Sequence, residues 1–231
     1  MANMKIVPAG DRALVADFGN VISEDVNRKV NALKKALLEE KVAGVREIIP
    51  TYRSLLVEYN PAVISMQELS RRIEAAGLSD AGAETGKKRV LEIPCCYGGA
   101  YGEDLASMAE LTGLSEKEII EIHAGTEYRV YMLGFLPGFV YLGGMDERIA
   151  APRLKSPRVS IPAGSVGIGG SQTGVYPMAS PGGWRLIGMT PVAFYDPTRE
   201  NPVLCEAGDY IRFVPISPEE YERMKKEGGA I

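Results

Sequence analysis

One histidine, one tryptophan and three cysteines are spread over 231 residues, and each scarcity removes a class of chemistry. Cys95, Cys96 and Cys205 are odd in number, and two of them are adjacent, a spacing at which pairing is rare. With no Cys-x-x-Cys spacing and His123 as the single imidazole, no zinc site of ordinary ligand type is expected. Reduced thiols fit a cytoplasmic protein. No apolar run approaches the roughly 18 residues of a membrane span. Met1 to Asp11 lacks the apolar core and cleavage site of a secretory signal. Neither sign of charge dominates: the formal net charge is −4, which gives nucleic acid or anionic lipid no general attraction. There is no Gly-x-Ser-x-Gly nucleophile elbow, and nothing repeats. What is present, 45% hydrophobic and 24% charged residues, suits a soluble globular protein of one large domain or two small ones.

The first 90 residues alternate β-like and helical patterns. Arg12 to Phe18 reads as a strand. Ser23, followed by Glu24 and Asp25, opens a helix whose apolar residues Val26, Val30, Leu33, Leu37 and Leu38 recur at helical spacing. Val45–Pro50 and Ser54–Tyr59 read as a hairpin, and Ser65 opens a second helix ending at Gly77. Counting Arg89 to Ile93 as the last strand gives βαββαβ, the order of a ferredoxin-like domain. Ser79 to Lys88 reads as a loop or linker. Two short helical patterns follow, Glu103–Leu111 and Ser115–His123, joined by Thr112-Gly-Leu114. They look like a helix-turn-helix, but three glutamates on the second helix would repel phosphates, so packing beside a sheet is expected instead of DNA binding. From Thr126 onward, short β-like runs at Tyr128–Met132, Arg158–Ile161, Ser165–Ile168, Gly174–Tyr176, Trp184–Ile187 and Tyr210–Val214 alternate with Gly and Pro. That pattern predicts a barrel or a sandwich, closed by a terminal helix over Pro218 to Lys226.

Several stretches invite a chemical reading. Met132 to Gly144 holds four glycines and no charge, and it suits either a pocket wall or an apolar turn in a core. Gly164 to Gly174 holds five glycines, which let backbone N–H groups approach an anion. It has no phosphate-loop lysine, and no helix follows it. Its alternatives are two tight strands with bulged turns or a binding loop using Ser171, Gln172 and Thr173. Trp184, beside Arg185, suits a core position or a rim where the ring stacks. Arg148, Arg153, Lys155 and Arg158 are close in sequence, as a solvated loop or an anion-binding set. His123, at a helix C-terminus, has no identifiable base partner.

Gly10-Asp-Arg-Ala13, Pro50-Thr-Tyr-Arg-Ser-Leu-Leu56, Tyr128-Arg-Val-Tyr-Met-Leu-Gly-Phe-Leu-Pro-Gly-Phe139, Ile161-Pro-Ala-Gly-Ser-Val-Gly167 and Ser180-Pro-Gly-Gly-Trp184 together resemble the family of 5-oxoprolinase B subunits. That family includes the sporulation kinase inhibitor KipI and proteins labelled allophanate hydrolase subunit 1. The resemblance spans nearly the whole chain; Ala124-Gly-Thr-Glu127 and Val140 depart from its pattern. It implies an α+β protein with an N-terminal α/β domain at 1–88 and a cyclophilin-like β-barrel domain at 89–231. It also implies an enzyme component, inactive alone, that acts with the A and C subunits to convert 5-oxo-L-proline to L-glutamate with hydrolysis of ATP, and with Mg for the ATP. The alternatives it leaves are an inhibitor of a sensor histidine kinase, with the apolar motifs as its docking surface, and a component acting on urea- or allophanate-type amides. A prolyl isomerase is not implied, because fold alone does not carry function. In the enzyme reading, His123, Arg158 and Arg185 are the expected catalytic residues. Substrate or nucleotide contacts are expected from Arg129 and Tyr131, from Phe135, Pro137 and Phe139, and from Arg153. Pro162 and Ser165, Gln172, Thr173 and Tyr176, and Ser180 and Trp184 complete that expectation.

Overall fold

The structure, a computed structural model, describes residues 4–78 and 88–229. The chain divides into two compact units, Met1–Lys87 and Lys88–Ile231. The first unit runs β1 (Lys5–Pro8), β2 (Ala13–Asp17), α1 (Glu24–Glu40), β3 (Val45–Pro50), β4 (Ser54–Tyr59) and α2 (Met66–Leu78). Its sheet has the order β1-β2-β4-β3, with every pair antiparallel. The Ser23 side chain accepts a hydrogen bond from the Val26 N–H at 3.2 Å and starts α1, which ends where Lys41 turns left-handed. Val30, Leu33 and Leu37 of α1 and Leu69 and Ile73 of α2 close over Leu14, Leu55 and Val57 of the sheet. Each such side chain contributes about 1.5–3 kcal/mol by leaving water.

The βαββαβ expectation is corrected by the sheet. Of the expected strand Arg89 to Ile93, the residues from Val90 onward belong to β5 (Val90–Tyr97), which pairs within the second unit. The edge beside β2 is held by β1, so the connectivity of the first unit is ββαββα. The cause lies in burial. Along β5, Ile93, Cys95 and Cys96 are buried, as suits a strand with neighbours on both sides. Lys5 to Pro8 is mostly exposed and gives no alternating signal.

The second unit continues with α3 (Leu105–Thr112), α4 (Glu116–Ala124), β6 (Glu127–Leu133), β7 (Val140–Gly143), β8 (Arg158–Ile161), β9 (Ser165–Gly169), β10 (Gln172–Val175), β11 (Ser180–Gly182), β12 (Arg185–Met189), β13 (Tyr210–Pro215) and α5 (Pro218–Lys226). Seven of these strands close a barrel in the order β10-β7-β6-β13-β5-β12-β9, while β8 and β11 pair separately as a two-stranded ribbon. Of the barrel pairings, β5 with β13 is parallel. Alternate residues along the strands divide between two clusters, as the period-2 geometry of strands requires. Tyr128, Val130, Val140, Leu142, Val166, Ile168, Val175, Ile187 and Phe213 fill the barrel core. Phe139, Tyr176 and Leu186, offset by one residue, join Ile161 and Trp184 in a second cluster. Helix α4, begun by a reciprocal Ser115–Glu118 capping box, adds Ile119 to the barrel core, and α3 adds Leu105 and Met108. The helix-turn-helix look of this pair is therefore that of two short helices packed on a barrel.

Candidate functional site

The second cluster is built around Trp184, which is only 4% exposed. Phe139 sits at its centre, with ring centroids 4.8 Å from Tyr141, 5.2 Å from Tyr176 and 5.6 Å from Trp184. The glycine-rich stretch makes this packing possible. Strands β9 and β10 form a tight antiparallel hairpin, Gln172 opposite Gly169, so the two-strand alternative is the one adopted. A Cβ on Gly169 would fall 2.5 Å from the indole, and one on Gly174 would fall 3.1 Å from it. The glycines therefore leave space for a flat ring against the strands, and their backbone groups are spent on the ladder.

The chargeless stretch divides into the end of β6, the turn Gly134–Phe139 and β7. Phe139 turns into the cluster at 2% exposure, while Phe135 is 63% exposed, at φ 69°. A left-handed backbone is uncommon for a bulky residue. Here it is held by hydrogen bonds from Gly134 N–H to Phe139 O and from Phe139 N–H to Leu136 O. Gly138, at φ 79°, lies so close to Tyr195 that a Cβ would approach it to 2.8 Å.

The four basic residues close in sequence do not act as one patch. Arg148 pairs with Asp146 at 2.6 Å. Arg158 pairs with Asp104 at 2.8 Å and Glu103 at 2.9 Å, and these carboxylates raise its pKa further above the ordinary value. Buried Asp104 also accepts the Leu186 N–H at 2.7 Å. Arg185 donates to the Pro152 carbonyl at 3.0 Å and to Ser107 Oγ at 3.3 Å. Arg153 lies over the Trp184 ring, its guanidinium carbon 5.8 Å from the centroid, and its charge opposes the upward push that burial gives the Tyr141 and Tyr176 hydroxyls. Arg153, Arg158 and Arg185 thus all border the tryptophan segment. Asp104, Glu103, Ser107 and Tyr141 complete the set. Sequence offered no signal for the first three, since an acidic pair and a serine at a helix start are ordinary.

His123 lies elsewhere, inside the barrel. It is fully buried, with Nδ1 2.8 Å from the Tyr97 hydroxyl and Nε2 2.9 Å from Thr173 Oγ1. Thr173 donates its proton to the Gly167 carbonyl at 3.1 Å. It must therefore accept from Nε2–H, which leaves Nδ1 to accept from Tyr97. The ring stacks on Phe213 and Tyr128 at 4.7 and 5.2 Å. Burial lowers its pKa to about 3, so it is neutral at physiological pH. Thr173 accordingly belongs with His123 and not with the aromatic cluster. Arg129 is buried and donates to the Tyr210 hydroxyl at 3.2 Å, and Tyr131 packs its ring on Gly143. Pro137 and Pro162 are exposed, and Gln172 is half-buried at the hairpin end. Ser165 and Ser180 are buried, with no hydrogen-bond partner for either hydroxyl among the described residues.

The family model described as carboxyltransferase domain, subdomain C and D, matches residues 4–205. A Bacillus subtilis protein named as the B subunit of 5-oxoprolinase is 46% identical, over 96% of this chain and 97% of that protein. The chain belongs to the family of 5-oxoprolinase B subunits. Among solved structures, TTHA0988 superposes with a TM-score of 0.79 at 40% identity, covering 89% of this chain and 40% of that one. The Kluyveromyces lactis urea amidolyase shares the fold, with a TM-score of 0.80 at 20% identity over 98% of this chain and 16% of that one. The family is therefore built both as chains of this length and as one part of much longer polypeptides.

Proposed function

We propose that this chain is the B subunit of an ATP-dependent 5-oxoprolinase, which opens the lactam of 5-oxo-L-proline to L-glutamate together with the A and C subunits. The observation that carries the reading is the 46% identity, over nearly both full lengths, to a protein named as that B subunit. A lactam is a poor electrophile because amide resonance stabilises its carbonyl. Phosphorylating the amide oxygen supplies a leaving group, and that step needs cations or backbone donors around phosphate and exclusion of water. Among the described residues, the glycine-rich hairpin that the sequence offers as an anion loop does not fit the nucleotide itself. The glycine-rich hairpin commits its backbone to pairing, and no lysine lies in it. Among the described residues no group of three acidic, His or Cys side chains is placed to hold Mg. No step through ATP is therefore placed on this chain, and the nucleotide and its metal are assigned to a partner in the complex.

The contribution of this chain is a water-excluding aromatic face bordered by Arg153, Arg158 and Arg185. In this reading His123 is a neutral strut that ties α4 to β5 and β10, and it positions the barrel wall behind that face. The closed barrel supports the cyclophilin-like assignment of the second unit. Exposed Phe135 is assigned to docking on the C subunit, consistent with relatives in which this fold is one part of a longer chain. The same exposed ring is what a kinase inhibitor would present to a sensor histidine kinase, so that remains the second reading. The test is co-expression of the full chain with the A and C subunits, followed by an assay of ADP release. Release that depends on 5-oxoproline is expected, and an assembled complex without it overturns the enzyme reading.

A further inference from the structure

We propose that Arg153, laid on the Trp184 ring, is the receptor for the carboxylate of the substrate, a small anionic lactam; this rests on the 5-oxoprolinase reading and assigns a contact within it. Arg153 stands apart among the arginines near the aromatic face. Arg158 is already neutralised by Asp104 and Glu103, and Arg185 is anchored through Nε and one terminal nitrogen to Pro152 O and Ser107 Oγ. Among the described residues Arg153 has no carboxylate within ion-pair distance, and it lies instead against an indole face.

The backbone that carries it is nonetheless fixed on both sides. Ala151 exchanges two hydrogen bonds with Gly170, at 2.8 and 3.2 Å. The Pro152 carbonyl accepts from Arg185, and the Leu154 N–H donates to Gly183 O at 2.7 Å. A solvated surface arginine needs no such support. Here an exposed guanidinium is carried by a fixed backbone beside the indole, its central carbon 5.8 Å from the ring centroid. A guanidinium so placed can meet a carboxylate in two-point geometry. The Tyr141 and Tyr176 side chains feel the same charge, and half-buried Tyr141 would form the apolar side of a site for a ring-sized ligand, with Tyr176 buried behind it. A phosphate would require more positive charge than this point offers, because the neighbouring Arg158 is balanced.

Trp184 is the sole tryptophan of the chain, so its fluorescence reports directly on what happens to Arg153. The full chain is titrated with 5-oxo-L-proline, with the neutral lactam pyrrolidin-2-one, with acetate and with inorganic phosphate. A saturable change with 5-oxoproline, weaker with acetate and absent with pyrrolidin-2-one, is expected. R153Q should weaken the 5-oxoproline response at least tenfold while leaving the circular dichroism spectrum unchanged. In the assembled complex, R153Q should raise KM for 5-oxoproline by a similar factor with kcat within about twofold. No response in the native chain, an equal response in R153Q, or phosphate binding as tightly as 5-oxoproline overturns the proposal. If the assembled complex does not turn over 5-oxoproline, the enzyme reading falls, and the fluorescence titration still decides whether Arg153 receives a carboxylate.

Discussion

His123 is a buried imidazole whose two nitrogens both serve the barrel, and this has a thermodynamic signature. In the unfolded chain it takes up a proton near its ordinary value of 6.5, whereas in the folded protein burial holds it neutral down to about 3. Its contribution to stability is therefore complete above pH 6.5 and is lost progressively as pH falls towards 3, by up to about 1.4 kcal/mol per pH unit. H123Q removes that titration. Urea denaturation of the native protein and of H123Q should show their stability difference shrinking by about 2 kcal/mol between pH 7 and pH 5. Parallel pH profiles would sink the assignment. The same neutrality bears on chemistry, because a proton carrier works best with a pKa near the operating pH. Asp104 works by position. It accepts from Arg158 and from the Leu186 N–H at once, and so ties α3, β8 and β12 together at the border of the aromatic face.

At the scale of elements, the β9–β10 hairpin is shaped around one indole. In G169A the new methyl group would meet Trp184 at 2.5 Å, and the ring must shift. A loss of about 1–3 kcal/mol is expected, together with a changed Trp184 emission maximum. Thermal unfolding and emission identical to the native protein would show that the glycine is not needed for packing. Such elements differ in how far sequence revealed them. Helix α5 occupies Pro218–Lys226, the span its pattern predicted, because Ser217 caps it and Pro218 suits a first turn. The serine-capped α1 and α4 were equally legible, since capping is local chemistry. Strands β1 and β11 were not: β1 is mostly exposed and gives no alternating pattern, and β11 is only three residues long and contains Pro181. The site was legible in its parts, as apolar rings, glycines and arginines. It was not legible in its assembly, because pairing is set in space: Arg158 finds Asp104 across 54 residues of sequence, while Arg148, ten residues before it, finds Asp146 two residues away.

For the whole molecule, the two units have separate hydrophobic cores. Residues 88–231, expressed alone, should therefore melt in a single cooperative transition, read by circular dichroism. A non-cooperative melt would mean that the barrel needs the first unit to fold. The barrel itself is closed by the parallel pairing of β5 with β13, which are joined side to side by the Glu92–Arg212 ion pair across 120 residues of sequence. That closure sets a schedule for synthesis. The first unit has all its strands by Tyr59, but β5 emerges well before either of its neighbours, β12 and β13. At roughly 5–20 residues per second, it waits on the order of ten seconds with both edges open. Pro94, in the middle of β5, offers no N–H to a stray strand. During translation it would act as a guard against mispairing of the nascent chain, a task that ends when the last strand arrives.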